Sequence, residues 1–460
     1  MDIIDLKQLK KHKFHFIGIG GISMSALALM LKKDGFLVQG SDETENDEVK
    51  KLMKKKVRVF IGHSESNVIG AGVVVVSSAI QIDNPEYQYA LKNNLIVLKR
   101  AELLGTVSRL YKTIISVTGS HGKTTATSMI SEMFILANKK PTIHVGGVLK
   151  SINSNYLIGN KKYFITENCE YKDNFLYVKP DISVILNIDS DHLDYFGSLE
   201  NLKHSFFRYA LGTKEGGINI VSGDDKNSKF LTKTRDCATF GFNHKCDIYA
   251  DNIKEYKNGF YSFDVVLFSS NIGNIKLNIV GKHNIYNALA CVFVGLVCQI
   301  EFEDIKSAIE NFSGVKRRCE IVGSLNGATV FHDYAHHPKQ IEKMIAVARA
   351  CKDKDKGKII VVFEPHTFSR TKYLLDDFAK SFKGCDVVIF SPVYSAREIE
   401  SDGANSKDLL EKTKRYIKNS LCLESYLEIK KMLKHIVQKG DIVMILGAGT
   451  IEKLSKLIID

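Results

Sequence analysis

At 460 residues the chain exceeds one ordinary core and requires about two to four domains. A composition of 44% hydrophobic and 25% charged residues with 6 Pro is that of an ordinary globular protein and excludes low-complexity and fibrous classes. The net charge of +12 comes with no nucleic-acid-binding motif, and the Lys runs 54–56 and 139–140 fall at helix ends, so a Lys-rich surface around anionic ligands is expected and a nucleic-acid partner is not. Nine Cys without a CxxC pair fit reduced thiols in a cytoplasmic protein. The N-terminus has no signal-peptide pattern. The most apolar stretch, near 285–300, is shorter than a membrane span and carries Asn287, so no stable membrane association is expected.

Residues 14–42 give a strand (FHFIGI), a glycine turn, a helix (SMSALALMLKKDG), a strand (FLVQG) and then Ser41-Asp42. Gly18-x-Gly20-x-x-Ser23 nearly matches the dinucleotide fingerprint, with Asp42 placed as a ribose-binding acid would be. Such a turn either holds a nucleotide-type anion, which is the expectation, or is a tight β–α turn without a ligand. Strands near 57–61, 73–80 and 96–99 and a helix opened by Asn84-Pro85-Glu86 complete a doubly wound domain over 1–108.

IISVTGSHGKTTATSMI (114–130) has the strand–loop–helix pattern of a phosphate-binding loop. Gly119, Ser120, His121 and Gly122 would turn backbone N–H groups onto an anion. Lys123 would reach the β/γ-phosphates and Thr124, followed by Thr125, would hold Mg²⁺. The loop is shorter between its glycines than a Walker A loop, whose first glycine would fall at Val117. ATP is the expected ligand.

Two acidic clusters follow at strand ends. YFITENCEY (163–171) supplies Glu167 and Glu170, and DISVILNIDSDHLDYF (181–196) supplies Asn187, Asp189, Asp191, His192 and Asp194. The ends of parallel strands share an edge with the phosphate loop, where carboxylates and imidazole suit a divalent cation. Residues 217–280 read as meandering β structure, an insertion or flanking small sheet. Gly281-Lys282-His283-Asn284-Ile285-Tyr286-Asn287 then opens a helix that either presents amides to a purine edge or is merely capped by Asn284. Lys316-Arg317-Arg318 is a solvated hinge or a reach toward triphosphate.

The remaining chain repeats strand–helix units, with a polar cluster after each strand: Asp333/His336/His337, His366/Arg370, Ser395/Arg397/Glu398 and Gly447-x-Gly449. Four such clusters on one sheet edge make a site, and the His and Arg side chains suit a carboxylate-bearing substrate.

The strings TGSHGKTT, ENCEY, NIDSDHLD, GKHNIYNALA, KRRCE, DYAHHP, PHTFSRT and YSARE, in this order between about residues 14 and 451, resemble the Mur ligases. The resemblance implies three α/β domains: a Rossmann-like parallel sheet over 1–108 that binds a UDP-sugar, a P-loop ATPase-type mixed sheet over 109–315, and a Rossmann-like sheet over 316–460 that binds an amino acid. It implies ATP-dependent amide formation in peptidoglycan precursor synthesis, nearest to the branch that adds L-alanine to UDP-N-acetylmuramate, by a monomer or homodimer. The cofactor would be Mg²⁺, with Mn²⁺ as the alternative. Carried over by motif, Lys123, Glu167, His192, Arg318 and His337 would be catalytic. Thr124, Glu167 and His192 would hold metal, and His283, Asn284, Asn287, Arg318 and Asp333 would complete the ATP site. Gly18, Gly20, Gly21, Ser41, Asp42, His63, Ser78 and Arg100 would line the UDP-sugar site, and His337, His366 and Arg370 would surround L-alanine. Ser23 stands where the family usually has Gly.

Three rivals make different predictions. A recycling ligase would take a ready-made peptide as the amine. An NAD-binding oxidoreductase would use Gly18, Gly20 and Asp42 but leave the phosphate loop unexplained. A P-loop switch would leave the His and Arg clusters of the third domain without a role.

Overall fold

The computed structural model describes residues 6–459 except 235, 353–356, 397 and 399–402; Arg397 therefore lies outside the described residues. The N-terminal region carries β1 (Lys13–Ile17), α1 (Ile22–Lys33), β2 (Leu37–Asp42), α2 (Asp47–Lys54), β3 (Arg58–Ile61), β4 (Val73–Val76), α3 (Pro85–Lys92), β5 (Ile96–Lys99) and α4 (Arg100–Ser108). Its five strands pair in parallel in the order β3-β2-β1-β4-β5. The VVVV run of β4 is buried throughout, as a central strand covered on both faces must be. The strand predicted over 73–80 stops at Val76, because 77–80 turn past the end of β1.

The central region follows with β6 (Thr113–Thr118), α5 (Lys123–Leu136), β7 (Thr142–Leu149), β8 (Ser154–Leu157), β9 (Tyr163–Glu167), β10 (Ile182–Ile185), α6 (Leu193–Phe196), α7 (Leu199–Leu211), β11 (Ile218–Ser222), β12 (Cys237–Gly241), β13 (Ile248–Lys257), β14 (Phe260–Leu267), β15 (Ser270–Lys276), α8 (Asn284–Val297) and α9 (Phe302–Asn311). All ten strands form one mixed sheet, β15-β14-β13-β12-β11-β10-β6-β9-β7-β8. This corrects the reading of 217–280 as an insertion or flanking small sheet. β11 and β12 pair in parallel onto β10, so the region continues the central sheet. Register sets Val117 of β6 beside Glu167 of β9, and Thr118 beside Ile185 of β10. The loops after β6, β9 and β10 therefore leave one edge together.

The C-terminal region carries β16 (Glu320–Leu325), β17 (Ala328–Asp333), α10 (Pro338–Cys351), β18 (Ile359–Phe363), α11 (Phe368–Tyr373), α12 (Leu375–Ser381), β19 (Val387–Phe390), α13 (Ser406–Thr413), β20 (Ser420–Cys422), α14 (Tyr426–Ile436), β21 (Ile442–Leu446) and α15 (Glu452–Ile458). The sheet order is β16-β17-β21-β18-β19-β20, parallel except for the β16–β17 hairpin. Asp333, Leu446, Phe363 and Phe390 align at one edge. The chain forms two compact units. One holds the residues up to Asn252 with Phe263–Ile275 and Ile285–Phe312, and the other holds Ile253–Ser262, Lys276–Asn284 and the residues from Ser313 onward. Among the described residues no helix is long and apolar enough to cross a membrane.

Candidate active site

The phosphate loop is built by backbone geometry that only glycine takes without strain. Gly119 (φ +136°) and Gly122 (φ +83°) have positive φ, and a Cβ on Gly119 would lie 3.0 Å from the backbone nitrogen of Asn187. The loop is tied to the segment after β10. Ser120 N–H donates to Asn187 O (3.0 Å), His121 N–H to Asn187 Oδ1 (2.9 Å), and the His121 ring meets Asp189 Oδ2 at 2.9 Å. Lys123 opens α5 and folds back, donating Nζ–H to Gly119 O (2.5 Å) and pairing with Glu170 Oε2 (2.9 Å). Burial opposes the Lys123 charge, but the charge and hydrogen bond of Glu170, together with the other acidic neighbours, outweigh it and hold the ammonium well above the usual lysine range.

The acids divide into two sets. Glu167 accepts from Thr124 Oγ1 (2.9 Å) and from Gly146 N–H (2.7 Å). His192, with φ +55°, faces Glu170 and Asp191, and the ligand atoms of these three lie within 4.8 Å of one another. Two carboxylates and an imidazole suit a hard divalent cation, so this donor set fits Mg²⁺ or Mn²⁺. Burial raises the Asp191 pKa, yet the charges of His192 and Lys123 prevail and keep it low, so the carboxylate is ionised as a metal ligand must be.

At the edge of the five-stranded sheet, Gly20 N–H donates to Asp42 Oδ2 (2.8 Å), closing the turn before α1. Gly21 caps α1, and Ser78 is exposed in the turn after β4. Ser41 is buried and donates to Glu86 Oε2, with His63 Nδ1 at 3.2 Å from its hydroxyl. Arg100 opens α4 with Nη1 on Ser23 Oγ (3.2 Å).

In the C-terminal unit, Arg370 Nη1 donates to His366 Nδ1 (3.1 Å), and the His366 ring lies tilted by 38° against Tyr394 with centroids 5.4 Å apart. Burial and the Arg370 charge lower the His366 pKa. Burial also brings its neighbour His336 down to about 4. His337 caps α10. Asp333 is buried with each oxygen accepting a backbone N–H, from Cys319 and Ala335 (2.7 Å each). Arg318 lies over the Tyr334 ring at 5.3 Å. His283 is exposed at the start of α8, and Asn284 Nδ2 donates to Val280 O (2.8 Å). In the other unit the Asn287 amide oxygen lies 2.9 Å from where a Cβ on Gly122 would sit, against the phosphate loop.

Three family descriptions match in succession: "Mur ligase family, catalytic domain" over 13–112, "Mur ligase middle domain" over 117–295, and "Mur ligase, glutamate ligase domain" over 317–449. The UDP-N-acetylmuramate–L-alanine ligase of Caldicellulosiruptor saccharolyticus is 43% identical over 452 residues, 98% of each chain. The chain belongs to the Mur ligase family. The Clostridium tetani ligase of the same name is 42% identical over 98% of each chain. The crystal structure of UDP-N-acetylmuramate-alanine ligase from Thermotoga maritima superposes with a TM-score of 0.81 at 28% identity, covering 97% of this chain and 98% of that one. A murein peptide ligase from Psychrobacter arcticus shares the fold, with a TM-score of 0.73 at 21% identity over 97% and 98% of the chains.

In this Mur ligase the structure brings Lys123, Thr124, Glu167 and His192 to one sheet edge, and His366 and Arg370 into contact at another. Sequence reasoning assigned the strand-end acids as a group to a divalent cation and named Glu167 and His192 as ligands, but did not single out Glu170 and Asp191, which complete the set with His192. It missed Glu86, which ties Ser41 to His63, His15 and Asn67. It also missed Glu364, which accepts from Tyr426 (2.6 Å) and Thr450 (3.0 Å) and so braces the turn after β21. The one available signal for Glu86 was its place beside Pro85, which reads only as a helix start.

Proposed function

We propose that this Mur ligase joins L-alanine to the lactyl carboxylate of UDP-N-acetylmuramate at the expense of ATP, giving UDP-N-acetylmuramoyl-L-alanine, ADP and phosphate for peptidoglycan synthesis in the cytoplasm. One observation carries the assignment: full-length identity above 40% to relatives that bear this activity in their names.

A carboxylate oxygen attacks the γ-phosphorus of ATP, ADP leaves, and an acyl phosphate forms. The neutral amine of alanine then attacks the acyl carbon, and the tetrahedral intermediate collapses to amide and inorganic phosphate. Lys123, with the N–H groups of the 119–125 loop, aligns the triphosphate and offsets its charge, which is most of what phosphoryl transfer asks of a protein. Asn287, whose amide lies against that loop, faces the nucleoside. A divalent cation held by Glu170, Asp191 and His192, or by Thr124 and Glu167, neutralises charge on the phosphates when bound. The turn at Gly18, Gly20 and Gly21, with Asp42, His63, Ser78 and Arg100, receives the UDP-sugar.

Roles in the amine pocket follow from donor chemistry. A guanidinium only donates, so His366 Nδ1 accepts from Arg370 and neutral His366 carries its proton on Nε2. His366 then has no second lone pair and serves with Arg370 as a donor to the alanine carboxylate. The proton lost by the amine passes to His337.

The acyl-phosphate route moves one carboxylate oxygen into the released phosphate. With ¹⁸O in the lactyl carboxylate, mass spectrometry is expected to find one label in each phosphate. Unlabelled phosphate would exclude the acyl phosphate.

A further inference from the structure

Ser23 is the second residue of α1, and its hydroxyl is the centre of a chain of side chains. Arg100 Nη1 lies 3.2 Å from Ser23 Oγ, Ser23 Oγ lies 2.8 Å from His144 Nε2, His144 Nδ1 lies 3.2 Å from Thr166 Oγ1, and Thr166 Oγ1 lies 3.2 Å from the carbonyl oxygen of Glu167. Donor chemistry fixes the direction of every link. The guanidinium can only donate, so the Ser23 oxygen accepts from Arg100 and keeps its proton for His144 Nε2, the acceptor of a neutral ring whose Nδ1–H is engaged elsewhere. The carbonyl can only accept, so the Thr166 proton goes to Glu167 O and its oxygen accepts from His144 Nδ1–H. No link conflicts with another.

His144 is buried, and that burial, reinforced by the Arg100 charge, brings its pKa down to about 3, so at neutral pH it has the one acceptor and one donor the chain requires. The chain connects α4 and α1 at the sugar-nucleotide edge to β7 and β9 of the central sheet. Among the described residues no carboxylate pairs with Arg100, so its partly buried charge is available to an anion.

We propose that Ser23 and His144 are positioning residues that hold the Arg100 guanidinium for the phosphates of the sugar nucleotide and anchor it to the strand ending in Glu167. The proposal rests on the UDP-sugar assignment above.

The test is direct titration of UDP-N-acetylmuramate, and separately of ATP, into the full-length wild type and the variants Ser23→Ala, His144→Phe, the double variant and Ser23→Thr, with steady-state KM values for both substrates. Each single loss is expected to weaken sugar-nucleotide binding about tenfold, the scale of a hydrogen bond to a charged group. ATP binding should stay within about twofold, the double variant should be no weaker than the worse single one, and Ser23→Thr, which keeps the hydroxyl, should restore affinity. Unchanged sugar-nucleotide affinity in Ser23→Ala and His144→Phe, even with lowered thermal stability, would overturn the proposal and leave the chain a structural contact. Equal weakening of both ligands would also overturn it. Wild type that fails to bind UDP-N-acetylmuramate would instead refute the functional assignment itself.

Discussion

Replacing Lys123 by alanine is expected to lower kcat by about 1,000-fold or more while UDP-N-acetylmuramate still binds. The side chain supplies the one ammonium inside the phosphate loop, and losing a charged group aligned on a developing phosphoryl charge costs at least as much as losing one oxyanion-hole donor. The same change leaves Glu170 buried without its ion-pair partner, a penalty of about 3–5 kcal/mol when nothing replaces the lost charge. The variant is therefore also expected to melt earlier. The residues proposed to receive the sugar nucleotide lie on the separate five-stranded sheet, so retained UDP-sugar binding would identify a folded protein with a disabled ATP site. Near wild-type turnover in Lys123→Ala would mean that 119–125 is not the ATP loop.

Glu86→Ala is expected to be the most costly single change for stability in the N-terminal sheet, by about 3–5 kcal/mol at neutral pH. The Glu86 carboxylate is buried and meets His15 (3.2 Å), Asn67 (2.6 Å) and Ser41. Burial alone would raise its pKa, but these hydrogen bonds and the charge of His15 prevail and bring it to about 2. A folded pKa below the unfolded value stabilises the fold above the unfolded pKa, and this stabilisation is lost as pH falls through the folded pKa. The stability gap between wild type and Glu86→Ala is therefore expected to be full at pH 7 and to shrink between about pH 4.5 and pH 2. Denaturant midpoints at pH 7 and pH 3 measure it. An equal gap at both would show that the neutral carboxyl does the holding.

Legibility in the sequence followed the range of the interactions. β1, α1, β2, α3 and β5 were readable because local patterns decide them: apolar runs, the Gly18–Gly20 turn, and Pro85 at the start of a helix. The phosphate loop was readable because its chemistry is contiguous. The sheet membership of β11 and β12 was not, since nothing local distinguishes a strand that continues an existing sheet from one in a small sheet of its own. The partners that complete the sites were hidden for the same reason. Glu170 lies 47 positions from Lys123, Glu86 lies 71 from His15, and His144 lies 121 from Ser23. Each of these residue types reads in isolation as a solvated turn or a core position, and only the fold supplies the neighbour that gives it a role.

The central claim is the identity of the amine, and ADP release measures it most directly. The assay contains ATP, Mg²⁺ and UDP-N-acetylmuramate with L-alanine, glycine, L-serine or the L-alanyl-γ-D-glutamyl-diaminopimelate tripeptide. ADP release that requires both the UDP-sugar and L-alanine, with the other amines weaker, is the expected result. Turnover with the tripeptide alone would contradict the account and make the protein a recycling ligase, and release indifferent to every amine would contradict ligation altogether.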